Sequence, residues 1–139
     1  MYDPGILRTI APMSAYKPDG FPSASAYIMA TNGQALIDFV AAVFGATPER
    51  RIDHDGRIAH AEMRIDDSVI MLADAHGQWA PVPTWVHVYV PDVDATYQKA
   101  LAAGGISVQA PSQRDGEPDR RGGVADPWGN QWWISTQVS

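Results

Sequence analysis

The chain has 139 residues, 45% of them hydrophobic and 19% charged, with a formal net charge of −6 and no cysteine. That is the balance of one globular domain with a real core; it excludes disulfides, thiolate catalysis and Cys-ligated metals, and it fits a cytoplasmic protein. The acidic charge argues against nucleic acid as a partner. No apolar run is long enough to span a bilayer, and the start, MYDPGILRTIAPMSAYKPDG, lacks the basic end and apolar block of a signal peptide.

Residues 1–22 carry four prolines and two glycines and read as an extended arm, with a short strand expected around 7–11. Residues 25–30 read as a strand. Asn32 then caps a helix in which Leu36, Phe39, Val40, Val43 and Phe44 recur at helical spacing, and Gly45 stops it. Strands follow at 49–53, 58–65 and 69–73, with Asp55-Gly56 as a hairpin turn between the first two.

Residues 75–83 form a linker with Gly77, Pro81 and Pro83, and then the order of elements repeats. A strand at 85–90 leads to a helix capped by Asp92 and ended by Gly104-Gly105. A strand at 106–110 follows, then a polar loop at 113–118, and a last hairpin of strands at 121–125 and 131–136. Pro127 and Gly129 suit the turn of that hairpin, and Asp126 and Asn130 can bond its backbone. Corresponding elements lie about 60 residues apart, the mark of a duplicated βαβββ unit. The chain thus divides into an arm (1–22) and a two-module α+β domain (23–139), with modules at about 23–74 and 84–137.

The strands alternate consistently. Val86, Val88 and Val90 form an apolar set opposite Trp85, His87 and Tyr89; Ala61, Met63 and Ile65 oppose His60, Glu62 and Arg64. If the aliphatic sets pack on helices, the other sets face a hollow. Continuing that phase adds Ser25, Tyr27 and Met29, then Val69 and Met71, then Gln131, Trp133 and Ser135. Such an aromatic lining with a few polar groups is usual for a small-molecule site.

The segments DFVAAVFGA, HAEM followed by SVIMLAD, VYVPDVDATYQKALAAGG and DRRGGVADPWGNQWWIST occur in an order that resembles the vicinal oxygen chelate superfamily. The resemblance is to its glyoxalase/bleomycin-resistance/dioxygenase group, most closely the PhnB-like branch, and covers about 23–136. It implies paired βαβββ modules whose sheets curl around a shared cavity, commonly in a homodimer. Metal-dependent members carry His, Gln or Glu ligands on the first and fourth strands of each module. Those positions fall here on Ser25, Trp85, Met71 and Trp133, none of them a normal ligand for such a cation.

Other roles stay open between a chemical and a plain reading. His60 and Glu62 share a strand face and read as a general base with its orienting partner, or as a polar pair satisfied in the sheet. His87 reads as a catalytic or metal-binding group, or as a histidine that only lines the hollow. His60, Glu62 and His87 together could hold a divalent ion in a displaced site. Trp85 and Trp133 offer flat faces to a planar or cationic ligand, or fill the hollow themselves. Tyr27 and Tyr89 could orient a ligand, with Met29 and Met71 beside them. Arg64 could pair a ligand anion or a neighbour such as Glu62, and Arg120 could tie its loop through a salt bridge or gate the hollow. His54 and His76 fall in turn or linker regions and are expected to face solvent.

The reading that follows is a homodimeric protein binding a small aromatic or cationic molecule, without the usual metal quartet. The alternative is a metal-dependent lyase, isomerase or dioxygenase with a displaced ligand set.

Overall fold

The computed structural model describes residues 16–139. The strand expected around 7–11 lies outside them. The first module runs β1 (Tyr27–Ala30), α1 (Gly33–Phe44), β2 (Thr47–His54), β3 (Arg57–Ile65) and β4 (Ser68–Asp74). The second repeats it as β5 (Trp85–Tyr89), α2 (Val93–Ala102), β6 (Ile106–Gln113), β7 (Asp119–Ala125) and β8 (Gln131–Gln137). Each module makes one four-stranded sheet, ordered β1-β4-β3-β2 and β5-β8-β7-β6. In both, the first strand pairs in parallel with the fourth and the remaining pairs are antiparallel.

The helices start as their caps dictate. Asn32 Oδ1 accepts from the Ala35 N–H at 3.0 Å, and Asp92 Oδ1 from the Ala95 N–H at 3.1 Å, each satisfying one of the free donors of a first turn. Leu36, Phe39, Val40 and Val43 are the buried stripe of α1, as their spacing predicts.

β7 begins at Asp119 rather than 121, and two strands that contain a proline also run longer than the sequence suggests. β2 begins at Thr47 rather than 49, and β6 extends through Gln113 rather than ending at 110. Each contains a proline, Pro48 or Pro111, and proline discourages a strand assignment. Both are edge strands, and each has a register shift beside its proline, so the missing N–H breaks no ladder.

The last hairpin is built around Asp126, which is buried. Its Oδ1 accepts from the N–H groups of Trp128 (3.0 Å) and Asn130 (2.9 Å), and its Oδ2 from Asn130 Nδ2 (2.9 Å) and Trp132 Nε1 (3.0 Å). Gly129 takes the positive φ the turn needs, +92°. Asn130 Oδ1 accepts from the Thr84 N–H at 3.0 Å, which fixes the start of β5 against the turn.

One hydrophobic core serves both modules. Trp132, wholly buried on β8, lies 6.3 Å from the Phe39 ring and 5.4 Å from Phe44, both on α1. Ile28, Met63 and Leu72 of the first module join it, as do Val88, Tyr97 and Val124 of the second. The expected phase of the strands holds: Val88, Trp132 and Ile134 are buried, while Trp85, His87 and Tyr89 are exposed. The second face of each sheet therefore points away from this core. The two sheets are not closed on each other, and each of the three cavities described below takes its residues from one module and its adjoining linker.

Candidate functional site

The open face of the first sheet carries a chain of polar contacts. The Tyr27 hydroxyl lies 3.0 Å from His60 Nδ1, His60 Nε2 lies 2.8 Å from Glu62 Oε2, and Arg50 Nη2 reaches the same oxygen at 3.1 Å. Glu62 is 2% exposed. Burial pushes its carboxyl up, but the bonds from His60 and Arg50 outweigh that and hold it below the usual carboxylate range. Opposite an ionised Glu62, His60 Nε2 is the donor, and in the neutral tautomer that carries this proton Nδ1 accepts from the Tyr27 O–H. Tyr27 itself is pushed up by burial and by the Glu62 charge, so it stays a phenol and a donor.

Register explains why three strands meet here. Tyr27 pairs with Met71 on β4, and Met71 pairs with Glu62 on β3. On this face the intervening strand presents Met71 and the small Ala73, so the Tyr27 ring reaches across to His60, with ring centres 5.6 Å apart. Beside it opens a cavity of about 410 Å³, lined among others by Tyr27, Met29, Arg57, Ala73, His76 and Trp79. His76 and Trp79 come from the linker, where their backbones form an isolated bridge. His76, exposed as expected, is thus also part of a cavity wall.

Arg64 does not pair with Glu62. Its Nε donates to Glu49 Oε2 at 2.8 Å and its Nη1 to the Gly20 carbonyl at 3.2 Å, and it lies over the Phe21 ring. Arg50, which no pattern in the sequence singles out, takes the place beside Glu62, where the register shift between Pro48 and Arg51 re-aims this part of β2.

The second sheet presents a different face. Trp85, 68% exposed, and Trp133 lie with ring centres 5.9 Å apart at an interplanar angle of 41°. Trp133 Nε1 donates to Gln131 Oε1 at 3.1 Å. A cavity of about 280 Å³ is bounded by both tryptophans with Gln109, Ser112, Arg114 and Arg121, and by the carboxylates of Glu117 and Asp119. A second hollow of about 290 Å³ continues it past His87.

Beneath these rings the polar groups are paired. Arg121 Nε donates to Ser135 Oγ at 3.0 Å, and that hydroxyl lies 2.9 Å from His87 Nε2. The Tyr89 hydroxyl donates to Asp119 Oδ2 at 2.7 Å, where Arg121 Nη2 also arrives at 3.3 Å. Burial and the Arg121 charge push the His87 imidazole below its ordinary value, against the pull of Asp119. The ring is therefore a neutral acceptor for the Ser135 O–H. Arg120 makes a two-pronged ion pair with Asp94 at 2.8 and 2.9 Å, the partnered role the sequence suggested for it. His54 pairs with Asp55 at the surface.

The structure separates residues that the sequence could only group. Tyr27, Met29, His60, Glu62, Arg64 and Met71 belong to the first sheet; Trp85, His87, Tyr89 and Trp133 belong to the second. Within one chain His87 therefore lies on a different sheet from His60 and Glu62. Among the described residues no three His, Asp or Glu side chains gather as a metal site would require. Ser25, Met71, Trp85 and Trp133, the positions where the family resemblance places ligands, do not form a donor set that fits such an ion. Among the described residues no helix is long and apolar enough to cross a membrane.

Comparison with known proteins agrees with this fold. An uncharacterized protein of Mycobacterium bovis is 34% identical over 130 residues, covering 84% of each chain. Among solved structures, TioX from Micromonospora sp. ML1 superposes with a TM-score of 0.70 at 22% identity, over 83% of this chain and 99% of TioX. The PhnB protein of Bacillus cereus gives 0.66 at 15% identity, over 83% and 99%. TnmS3, an antibiotic binding protein from Streptomyces sp. CB03234, gives 0.65 at 16%, over 84% and 97%. The model of the Glyoxalase/Bleomycin resistance protein/Dioxygenase superfamily matches residues 24–134, and the chain belongs to that superfamily.

Proposed function

We propose that the protein binds a small planar aromatic molecule, neutral or cationic, against Trp85 and Trp133. The observation that carries this is the exposed indole of Trp85, tilted over Trp133 at the edge of a cavity with polar walls. Leaving such a ring in water forgoes about 1.5–3 kcal/mol of burial, and a flat ligand recovers it by stacking. The two indole faces also attract a cationic ring, while Glu117 and Asp119 in the wall are paired with Arg121. Support by analogy comes from TnmS3, whose fold this chain shares and which is an antibiotic binding protein.

The binding unit is a homodimer in this reading. Among the described residues each open face is left largely uncovered, and the two belong to modules of the same order of elements. A two-fold axis that sets the first module of one copy against the second module of the other closes both faces at once.

The test is a fluorescence titration with 9-aminoacridine, a planar cation, read as quenching of tryptophan emission. Saturable quenching is expected, and Trp85→Ala should weaken it about fivefold to tenfold, the stacking contribution of one aromatic pair. Quenching that does not saturate, or that Trp85→Ala leaves unchanged, would overturn the reading.

A further inference from the structure

The cavity of about 280 Å³ against Trp85 and Trp133 has a charged wall, and its charges are not equally committed. Arg121 engages all three of its guanidinium nitrogens inside the chain. Its Nε donates to Ser135 Oγ at 3.0 Å, its Nη2 reaches Asp119 Oδ2 at 3.3 Å, and its Nη1 lies 3.5 Å from Glu117 Oε1. Asp119 Oδ2 also accepts from the Tyr89 hydroxyl at 2.7 Å. Both carboxylates of the wall are therefore answered by Arg121. Arg114 is the remainder: it lines the same cavity and makes no ion pair or side-chain hydrogen bond among the described residues.

The chain around Arg114 is held in a turn. Arg114 is the first residue past the end of β6. Its carbonyl accepts from the Glu117 N–H at 3.1 Å, Gln113 Nε2 donates to the Glu117 carbonyl at 2.9 Å, and Gly116 takes the positive φ of the turn, +83°. Asp115 and Glu117 flank Gly116, yet neither pairs with the Arg114 guanidinium. Glu117 turns to Arg121, and Asp115 makes no ion pair among the described residues. The Ser112 hydroxyl, on the same wall, is likewise without a side-chain bond among the described residues.

Uncommitted donors in one wall and flat indole faces in another are the two halves of a site for an aromatic acid. A guanidinium presents N–H groups in a fork that matches a carboxylate. The cavity is at the small end of ligand sites, so a single small molecule meets both walls. We propose that the ligand of this site bears a carboxylate on its planar ring, and that Arg114 is the residue that selects for it, with Ser112 as a second donor. The inference rests on the aromatic reading above and narrows it. A cationic ring against the indoles, joined to that carboxylate, is a zwitterion of no net charge, which meets no overall repulsion from a chain of charge −6.

Titration with 9-aminoacridine-2-carboxylate and, separately, with its carboxamide tests this, read as quenching of tryptophan emission at low salt. The two share one cationic ring and differ in the charge of the substituent. The acid should bind the parent about fivefold to tenfold more tightly than the amide, the scale of a two-pronged charge-assisted pair at a solvated site. Arg114→Gln should bring the ratio of the two affinities to within about twofold of one, and Arg114→Lys should keep part of it. The ratio should also shrink in about 1 M salt, where such a pair is screened. Equal affinities of the parent for acid and amide, or a preference that Arg114→Gln leaves intact, would overturn the proposal and leave the aromatic site in place. Loss of saturable quenching by both compounds and by 9-aminoacridine would overturn the aromatic site, and this inference with it.

Discussion

The ring of Trp133 lies flat over the α-carbon of Gly123 on the neighbouring strand. A β-carbon at Gly123 would stand 2.8 Å from Trp133 Cζ3 and 2.9 Å from Cε3, closer than such atoms approach. The two residues are direct cross-strand partners, so the absence of a side chain on β7 is what lets the indole lie down beside Trp85. Gly123→Ala should therefore tilt Trp133 out of place. The expected cost is about 1–3 kcal/mol in urea unfolding, typical of overpacking, together with weaker 9-aminoacridine quenching. Equal quenching by parent and variant would show that the orientation of Trp133 does not matter for binding.

Asp126 predicts a larger loss. It is buried, and it accepts four hydrogen bonds from the turn and from the indole of Trp132 in the core. Asp126→Ala strands several of those donors away from water at about 1–3 kcal/mol for each unsatisfied group. Destabilisation of about 3 kcal/mol or more is expected from denaturant unfolding. A loss below about 1 kcal/mol would mean that water replaces the carboxylate.

Much of this is legible in the sequence itself. The turn chemistry of Asp126, Pro127 and Gly129, the caps Asn32 and Asp92, and the alternation around Val88 all point to one βαβββ repeat and one phase of its strands. The extents of β2 and β6 were not legible, because Pro48 and Pro111 argue against strands unless the strand is known to lie at an edge. Nor was the distribution of the site. Periodicity places His60 and His87 on open faces, but it carries no information on how two modules sit relative to each other. The partner Arg50 was hidden for another reason: it reaches Glu62 across the β2–β3 pair, and the register of β2 includes an irregularity that a sequence does not display.

Asp74 ties the first module together and shapes the wall of its cavity. It bonds the first N–H of α1 at Gly33 and the Ile58 N–H on β3, the former also satisfying one free donor at a helix N-terminus, where negative charge is favoured. Asp74→Ala is expected to cost about 2–4 kcal/mol in thermal or urea unfolding, on the scale of two hydrogen bonds to a charged group. It should also raise amide exchange at Gly33 and Ile58. Unchanged exchange at those two amides would refute the anchoring role.

Acid should destabilise the fold in two stages. The His87 imidazole lies below its ordinary value of 6.5 in the folded state, where Arg121 and burial oppose its charge. As pH falls below 6.5 the unfolded chain takes up that proton first, and stability declines. The Glu62 carboxyl is held below its ordinary 4.5, so its contribution is complete above that pH and is lost as pH drops through the folded value. Urea midpoints between pH 8 and pH 3 should show both declines. His87→Gln should erase the upper one and Glu62→Gln the lower, the latter from a less stable start. A flat profile from pH 7 to pH 5 would contradict the assignment at His87.

The proposed pairing of copies has its own consequence for the exposed aromatics. Trp85, Tyr89 and Tyr27 are 68%, 63% and 45% exposed in one chain, and closing both open faces across a two-fold axis would enclose all three around a ligand hollow between the copies. A specific interface of ordinary size removes about 800 Å² per partner from water, and these rings would supply a large share of it. Sedimentation equilibrium should give twice the 15.1 kDa of a single chain. Dilution should shift tryptophan emission to the red as Trp85 meets solvent. Tyr89→Asp should favour the single chain, because it places a second carboxylate beside Asp119, which the Tyr89 hydroxyl now caps. A mass of one chain at micromolar concentration, with emission independent of dilution, would show that the open faces stay uncovered and that Trp85 meets its ligand unaided.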